Sequence, residues 1–333
     1  MRYIHELIND AGTAMPLAGC PVKPGERSRV NILALGDVGA TMLIGLRLLG
    51  GDVIESIGIC DIRRENTERL EMEINQIGYP FEEEDSESRR MPPVSIVDEE
   101  ELFDCDVMIF CASRGVPPVE KEGSGQIDVR MVQLEANRDI ISHYAEMAKK
   151  AQYRGLVCVV SDPVDHLAAA FLHMAGLQAW QVQGYGLGVM NRRALYYARR
   201  SEKDSCRLYE TEGRAYGPHG QDLVIANSIA HYDEEASAEL TELAVTANLK
   251  VRSLGFKPYI APALSSAAIS ILLTLRGQWH YGSLYLGSRE RGAFLGIRCR
   301  LKPDGWEYED AQLPDGLYGR IERAYLNLCG VCL

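Results

Sequence analysis

Short apolar runs alternate with segments whose apolar residues recur at helical spacing over the first half of the chain. Residues 30–35, 53–60, 94–97, 107–111 and 156–160 read as strands buried on both faces, because their apolar runs are continuous rather than alternating. Residues 39–49, 64–77 and 127–152 read as the helices between them, and the polar stretch 82–90 as a surface loop. This alternation predicts βαβ units and a doubly wound parallel sheet, an α/β fold. Beyond about residue 183 the pattern changes. Helices are expected at 190–200 and 236–254 and a helix-like run at 222–231, with antiparallel strands at 293–300 and 305–308. The expected organisation is an arm at 1–28, rich in Pro and Gly after a short helical piece, a first domain at 29–182 and a second at 183–333. The longest uncharged stretch, 258–275, holds Pro258, Pro262 and several hydroxyl residues, so it reads as a buried helix and not a membrane span.

Composition narrows the function classes. Lys and Arg number 35 and Asp and Glu 47, a net charge of −12, which disfavours nucleic acid and anionic membranes as partners. Nine cysteines, several inside apolar runs, fit reduced buried thiols. The lone pair Cys329 and Cys332 is a weak metal signal, and no metal site is expected. The opening Met1-Arg2-Tyr3-Ile4-His5-Glu6 lacks the apolar core of a signal peptide, so a cytoplasmic protein is expected.

The first strand runs into Ala34-Leu35-Gly36-Asp37-Val38-Gly39, a GxGxxG pattern with Ala34 in its first place. Gly36 admits a pyrophosphate to the backbone, Gly39 lets helix and strand pack closely, and the helix N-terminus offers free N–H groups to the anion. Ala34 is tolerable at the tight turn if its φ stays negative. Asp61 ends the second strand, 22 residues after Gly39, where a carboxylate binds a ribose 2′-hydroxyl. It repels a 2′-phosphate, which favours NAD over NADP; Arg63 and Arg64 keep the phosphorylated form open.

Four further residues stand where chemistry is done. His219 lies in Gly217-Pro218-His219-Gly220, on a turn. Arg193 is read as lying in the first turn of its helix, where a positive charge opposes the dipole and a bound carboxylate would relieve the conflict. Arg130 sits where a long loop, 113–126, meets the following helix. Asp162-Pro163 follows the fifth strand at the sheet edge where ligands of such folds bind, and its peptide bond is a candidate for the cis form.

Together these segments resemble the lactate/malate dehydrogenase superfamily over about residues 29–330. The matching pieces are 30–39 with Asp61, Asp104 to Ile109, Arg130 seven residues before Asn137, Ser161-Asp162-Pro163-Val164-Asp165, the glycine-led 184–193, and Pro218-His219-Gly220. The resemblance implies a Rossmann domain followed by an α+β substrate domain. NAD would be held by Gly36, Asp37, Val38, Gly39, Asp61 and Ala112, and a small 2-hydroxy or 2-oxo acid would be the substrate. It further implies His219 as proton acceptor and donor, Arg193 as the carboxylate ligand, Arg130 on a closing loop, and a homodimer or homotetramer. Two positions depart from the family. The acid that orients the histidine stands three residues before the carboxylate-binding Arg, and here that residue is Met190. Asp162 replaces the family's Asn; a carboxylate there would repel an anionic substrate, or take over the missing charge. The loop is also longer than the family's. Counting six residues back from Arg130 makes Ser124 the specificity position, with Lys121 and Arg114 as alternatives for a second carboxylate. The other reading is a family member that binds NAD but has lost dehydrogenase activity, a sensor or structural protein. An NAD-dependent glycosidase on a related fold would need a metal pair that the sequence does not offer.

Overall fold

The computed structural model describes residues 1–9, 11–80, 90–114 and 129–330, the side chains at 129–133 excepted. Ser124, Lys121 and Cys332 lie outside the described residues, as does the side chain of Arg130. A nine-stranded sheet forms the frame. Its strands are β1 (Ser28–Leu33), β2 (Ile54–Cys60), β3 (Val94–Ile96), β4 (Val107–Phe110), β5 (Leu156–Val159), β6 (Val182–Gly184), β7 (His280–Gly287), β8 (Gly292–Lys302) and β9 (Gly305–Tyr308). Their order across the sheet is β3-β2-β1-β4-β5-β6-β7-β8-β9. The first six are parallel, in the doubly wound order 3-2-1-4-5-6. β7, β8 and β9 then extend the same sheet as an antiparallel meander, β7 pairing with β6 through Ser283 and Gly184. The sheet therefore runs unbroken across residue 182.

The continuous apolar runs are buried as expected: all four residues of β4 and of β5 are inaccessible or nearly so. Helices α1 (Asp37–Leu49), α2 (Arg64–Asn75), α3 (Val129–Lys150) and α4 (Val164–Ala175) connect the parallel strands. The two buried clusters that include opposite faces of β1, β4 and β5 each hold residues of these helices. Next come α5 (Leu187–Ala198), α6 (Glu234–Ser253), the π-helical segment Pro262–Ala268, and α7 (Ile269–Leu275). The uncharged stretch 258–275 is helical from residue 260 and half of its residues are buried, and no helix among the described residues is long and apolar enough to cross a membrane. The arm packs on its own chain: Arg2–Tyr3 pairs with Gln312–Leu313, and the Arg2 guanidinium stacks 3.9 Å from the Tyr318 ring centroid.

Three expectations change. Helix α5 begins at Leu187, not 190, so Arg193 lies in its second turn and the first-turn dipole conflict does not exist. The glycines there hid the helix. Gly188 is helical, with no room for a Cβ, which would come 2.6 Å from the Ser265 carbonyl oxygen. Residues 222–231 are not helical: Val224–Ala226 pairs antiparallel with Arg214–Tyr216, and His219 sits on the turn of that hairpin. Finally, Ala34 has φ +72°, so the tight turn is left-handed and its alanine is strained. A left-handed L-residue costs roughly 1–2 kcal/mol, and glycine's extra freedom when unfolded takes back roughly 0.4–1 kcal/mol. Ala34→Gly should therefore raise the unfolding free energy by about 0.5–1 kcal/mol in urea denaturation; a destabilised variant would contradict the left-handed assignment.

Candidate active site

A cleft of about 1010 Å³ runs along the carboxyl edge of the parallel strands. At one end lies the glycine turn. Gly36 is the extended residue before α1, and a Cβ built on it meets nothing within 4 Å, so its backbone is open to the cleft. At Gly39 a Cβ would come 2.1 Å from the Ala34 carbonyl oxygen, so only glycine allows α1 to lie against the end of β1. Asp61 leaves the end of β2 and accepts hydrogen bonds from the backbone N–H groups of Leu35 (2.7 Å) and Arg63 (2.9 Å). Both bonds aim the carboxylate into the cleft it lines, and a carboxylate has lone pairs left for a diol. Asp37, the first helical residue, would repel a pyrophosphate, but Lys257 Nζ stands 2.9 Å from its carboxylate. Arg252 lines the same cleft, adding a second cation to it. An open cradle over Gly36, a helix N-terminus and a carboxylate at the strand end together fit a dinucleotide. Ala112 lines the cleft after β4, and its carbonyl accepts from Ser161 Oγ at 2.8 Å, tying two strand ends together. Cys111, also on the cleft, is no nucleophile, since burial pushes its thiol up to about 12.

The other end opens into a smaller cavity of about 160 Å³, lined by Asp162, Asp165, Met190, Arg193, His219 and Asn248 among others. Each comes from a different part of the fold. Asp162 follows β5, its bond to Pro163 is cis, and the buried Asn137 of α3 donates to its carbonyl at 3.2 Å. Asn137 Oδ1 in turn accepts from the Arg114 N–H at 2.9 Å, so α3 fixes two loop backbones at once. His219 packs over Gly186, where a Cβ would come 2.8 Å from the His219 Cβ. Its Nδ1 lies 3.3 Å from Asp162 Oδ1, and its side chain is 22% exposed.

Arg193 extends from α5 toward the cavity. One of its terminal nitrogens lies 3.4 Å from Met190 Sδ and 3.4 Å from the Ala244 carbonyl. It makes no ion pair with any described residue. Burial lowers its pKa, with Tyr197 and Asp162 acting in the other direction. A guanidinium desolvated without an ion pair to any described residue is a site prepared for an anion.

The structure thus brings together His219, Arg193 and Asp162 at one end, with Gly36, Asp37, Val38, Gly39, Asp61 and Ala112 along the cleft. The backbone of Arg130 lies in the first turn of α3. Sequence reasoning missed Asn248. It is carried by α6 and lines both cavities, and its buried Oδ1 has no hydrogen-bond partner among the described residues. Its only sequence signal was a polar residue four positions after the buried Ala244.

Residues 28–184 match the family described as lactate/malate dehydrogenase, NAD binding domain. That segment, just under half of the chain, is of the lactate/malate dehydrogenase NAD-binding kind. NAD is the cofactor of that domain family, and Gly36, Gly39 and Asp61 fall within the matched residues. The chain is similar to the L-lactate dehydrogenase of Mycoplasma pneumoniae, at 26% identity over 154 residues, 46% of this chain and 46% of that one. It is similar to the malate dehydrogenase of Sulfurimonas denitrificans, at 25% identity over 224 residues, 66% of this chain and 63% of that one. It thus spans between about half and three-fifths of the length of these curated relatives. Among solved structures it shares its fold with MGS-M5, a lactate dehydrogenase from a Medee basin deep-sea metagenome library. The TM-score is 0.72 at 18% identity, covering 91% of this chain and 97% of that one.

Proposed function

We propose that the protein is an NAD-dependent oxidoreductase that interconverts a 2-hydroxy acid and a 2-oxo acid. The observation that carries this reading is the convergence of His219 and Arg193, which has no ion pair among the described residues, on one small cavity at the end of the dinucleotide cleft. Arg193 holds the substrate carboxylate with its planar fork. His219 takes the hydroxyl proton as the neighbouring C–H bond gives up its hydride, and it returns that proton in the opposite direction. NAD, when bound, supplies the hydride acceptor. Arg130, at the start of α3, polarises the substrate oxygen when the preceding loop closes, and Ser124 on that loop contributes to the choice of substrate. Asp162 forms part of the substrate pocket. The cytoplasm and a homodimer or homotetramer belong to the same reading. Leu254, Phe256 and Ile260 expose apolar side chains next to one another in sequence, as a subunit interface requires.

A second reading has one observation in its favour. Met190 occupies the place of the family's orienting acid, and its sulfur packs on Arg193. On that reading the chain binds NAD as a sensor or structural protein and turns nothing over. NADH oxidation with a panel of mono- and dicarboxylic 2-oxo acids decides between the two. Turnover of one class establishes the dehydrogenase. NADH binding without turnover across the panel establishes the silent member.

A further inference from the structure

We propose that Asp162 has taken over the orienting of His219, so that the acid lost from α5 at Met190 reappears on the loop after β5. This deepens the proposed dehydrogenase reading and rests on it.

The argument is geometric. Asp162 Oδ1 lies 3.3 Å from His219 Nδ1, and no described residue bonds His219 Nε2. An acid on Nδ1 places the proton of the neutral ring there. That leaves the Nε2 lone pair as the acceptor for a substrate hydroxyl proton. A contact of 3.3 Å in the ligand-free chain is ordinary for such pairs, which tighten when substrate binds.

Both partners are held. His219 is seated on Gly186, where its Cβ occupies the space a side chain would need. Asp162 is held through its own carbonyl, which accepts from the buried Asn137. No such partner exists on α5: Met190 is 1% exposed and offers only a thioether, directed at Arg193. A carboxylate also fits Asp162's place electrostatically. It faces the same cavity as the Arg193 cation, and its charge acts on that guanidinium. Asp162 is thus a positioning residue acting through His219, and the pocket loses the neutral amide that the family's Asn would offer to a substrate oxygen.

The test reads the histidine directly and needs no substrate. Long-range 1H–15N spectra of the full chain with labelled histidine, with and without NADH, report which ring nitrogen carries the proton. The His219 signal is assigned by its loss in His219→Gln. We expect the Nδ1–H tautomer in the native chain. In Asp162→Asn the amide NH2 faces the ring as a donor, and the Nε2–H form should replace it. Asp162 is more than half exposed, so this variant is expected to fold. Adding Met190→Asp to Asp162→Asn returns the acid to α5, and recovery of the Nδ1–H form there supports the proposal. An Nε2–H ring in the native chain overturns it. So does an unchanged tautomer in Asp162→Asn, or a change seen on Asp165→Asn instead. If the panel of 2-oxo acids yields a substrate, Asp162→Asn should lower kcat by about 10⁴-fold, with NADH affinity unchanged. A silent panel with the expected tautomer would sink the dehydrogenase reading and leave the pairing intact.

Discussion

Replacing His219 by asparagine is expected to slow NADH oxidation by the preferred 2-oxo acid by about 10³- to 10⁴-fold, a loss of about 4–5.5 kcal/mol of transition-state stabilisation. The ring lines the small cavity beside Arg193, and no described residue hydrogen-bonds its Nε2. Asparagine keeps much of the shape and a hydrogen-bond donor but cannot exchange a proton. The loss should therefore appear in kcat, and the KM for the 2-oxo acid should move only a few-fold. NADH affinity, followed by fluorescence titration, should stay the same, because the cradle around Gly36, Gly39 and Asp61 lies at the far end of the cleft. A loss of less than tenfold would mean that protonation is not the task of His219.

That two-ended site was unevenly visible in the sequence, for physical reasons. The nucleotide end is built from local signals: a buried strand, glycines at fixed spacing, a helix start, and an acid at the next strand end. Each follows from backbone geometry within about thirty residues. Five of the six parallel strands, β1 to β5, are legible in the same alternation, whereas β6, three residues long, is not. The substrate end depends on contacts between remote segments. Nothing local to Asn248 says that α6 brings it to the cavity holding His219, because that depends on how α6 packs on α5. The start of α5 was misplaced since glycine usually marks a turn, whereas Gly186 and Gly188 are required by His219 and by the Ser265 carbonyl. Ala34 shows the converse. Its type argued for negative φ, but the close approach of Gly39 to its carbonyl imposes the left-handed turn.

Arg193→Met is the change whose two consequences should point in opposite directions. In the proposed reaction the guanidinium binds the substrate carboxylate through paired, charge-assisted hydrogen bonds. Removing one partner of such a pair costs about 2–5 kcal/mol, so kcat/KM should fall by about 30- to 5,000-fold. Stability should behave differently. Without substrate, Arg193 makes no ion pair with a described residue, burial disfavours its charge, and its contacts are a thioether and one carbonyl at 3.4 Å. Methionine has a comparable length, and beside Met190 it removes the uncompensated charge without opening a large void. The unfolding free energy of the ligand-free chain should then hold or rise by up to about 1 kcal/mol, because active-site charges are kept at the expense of stability. Urea denaturation and steady-state kinetics on the same preparation read both effects. An arginine that merely braces α5 against α6 would show the reverse pattern, losing stability while leaving kcat/KM nearly unchanged.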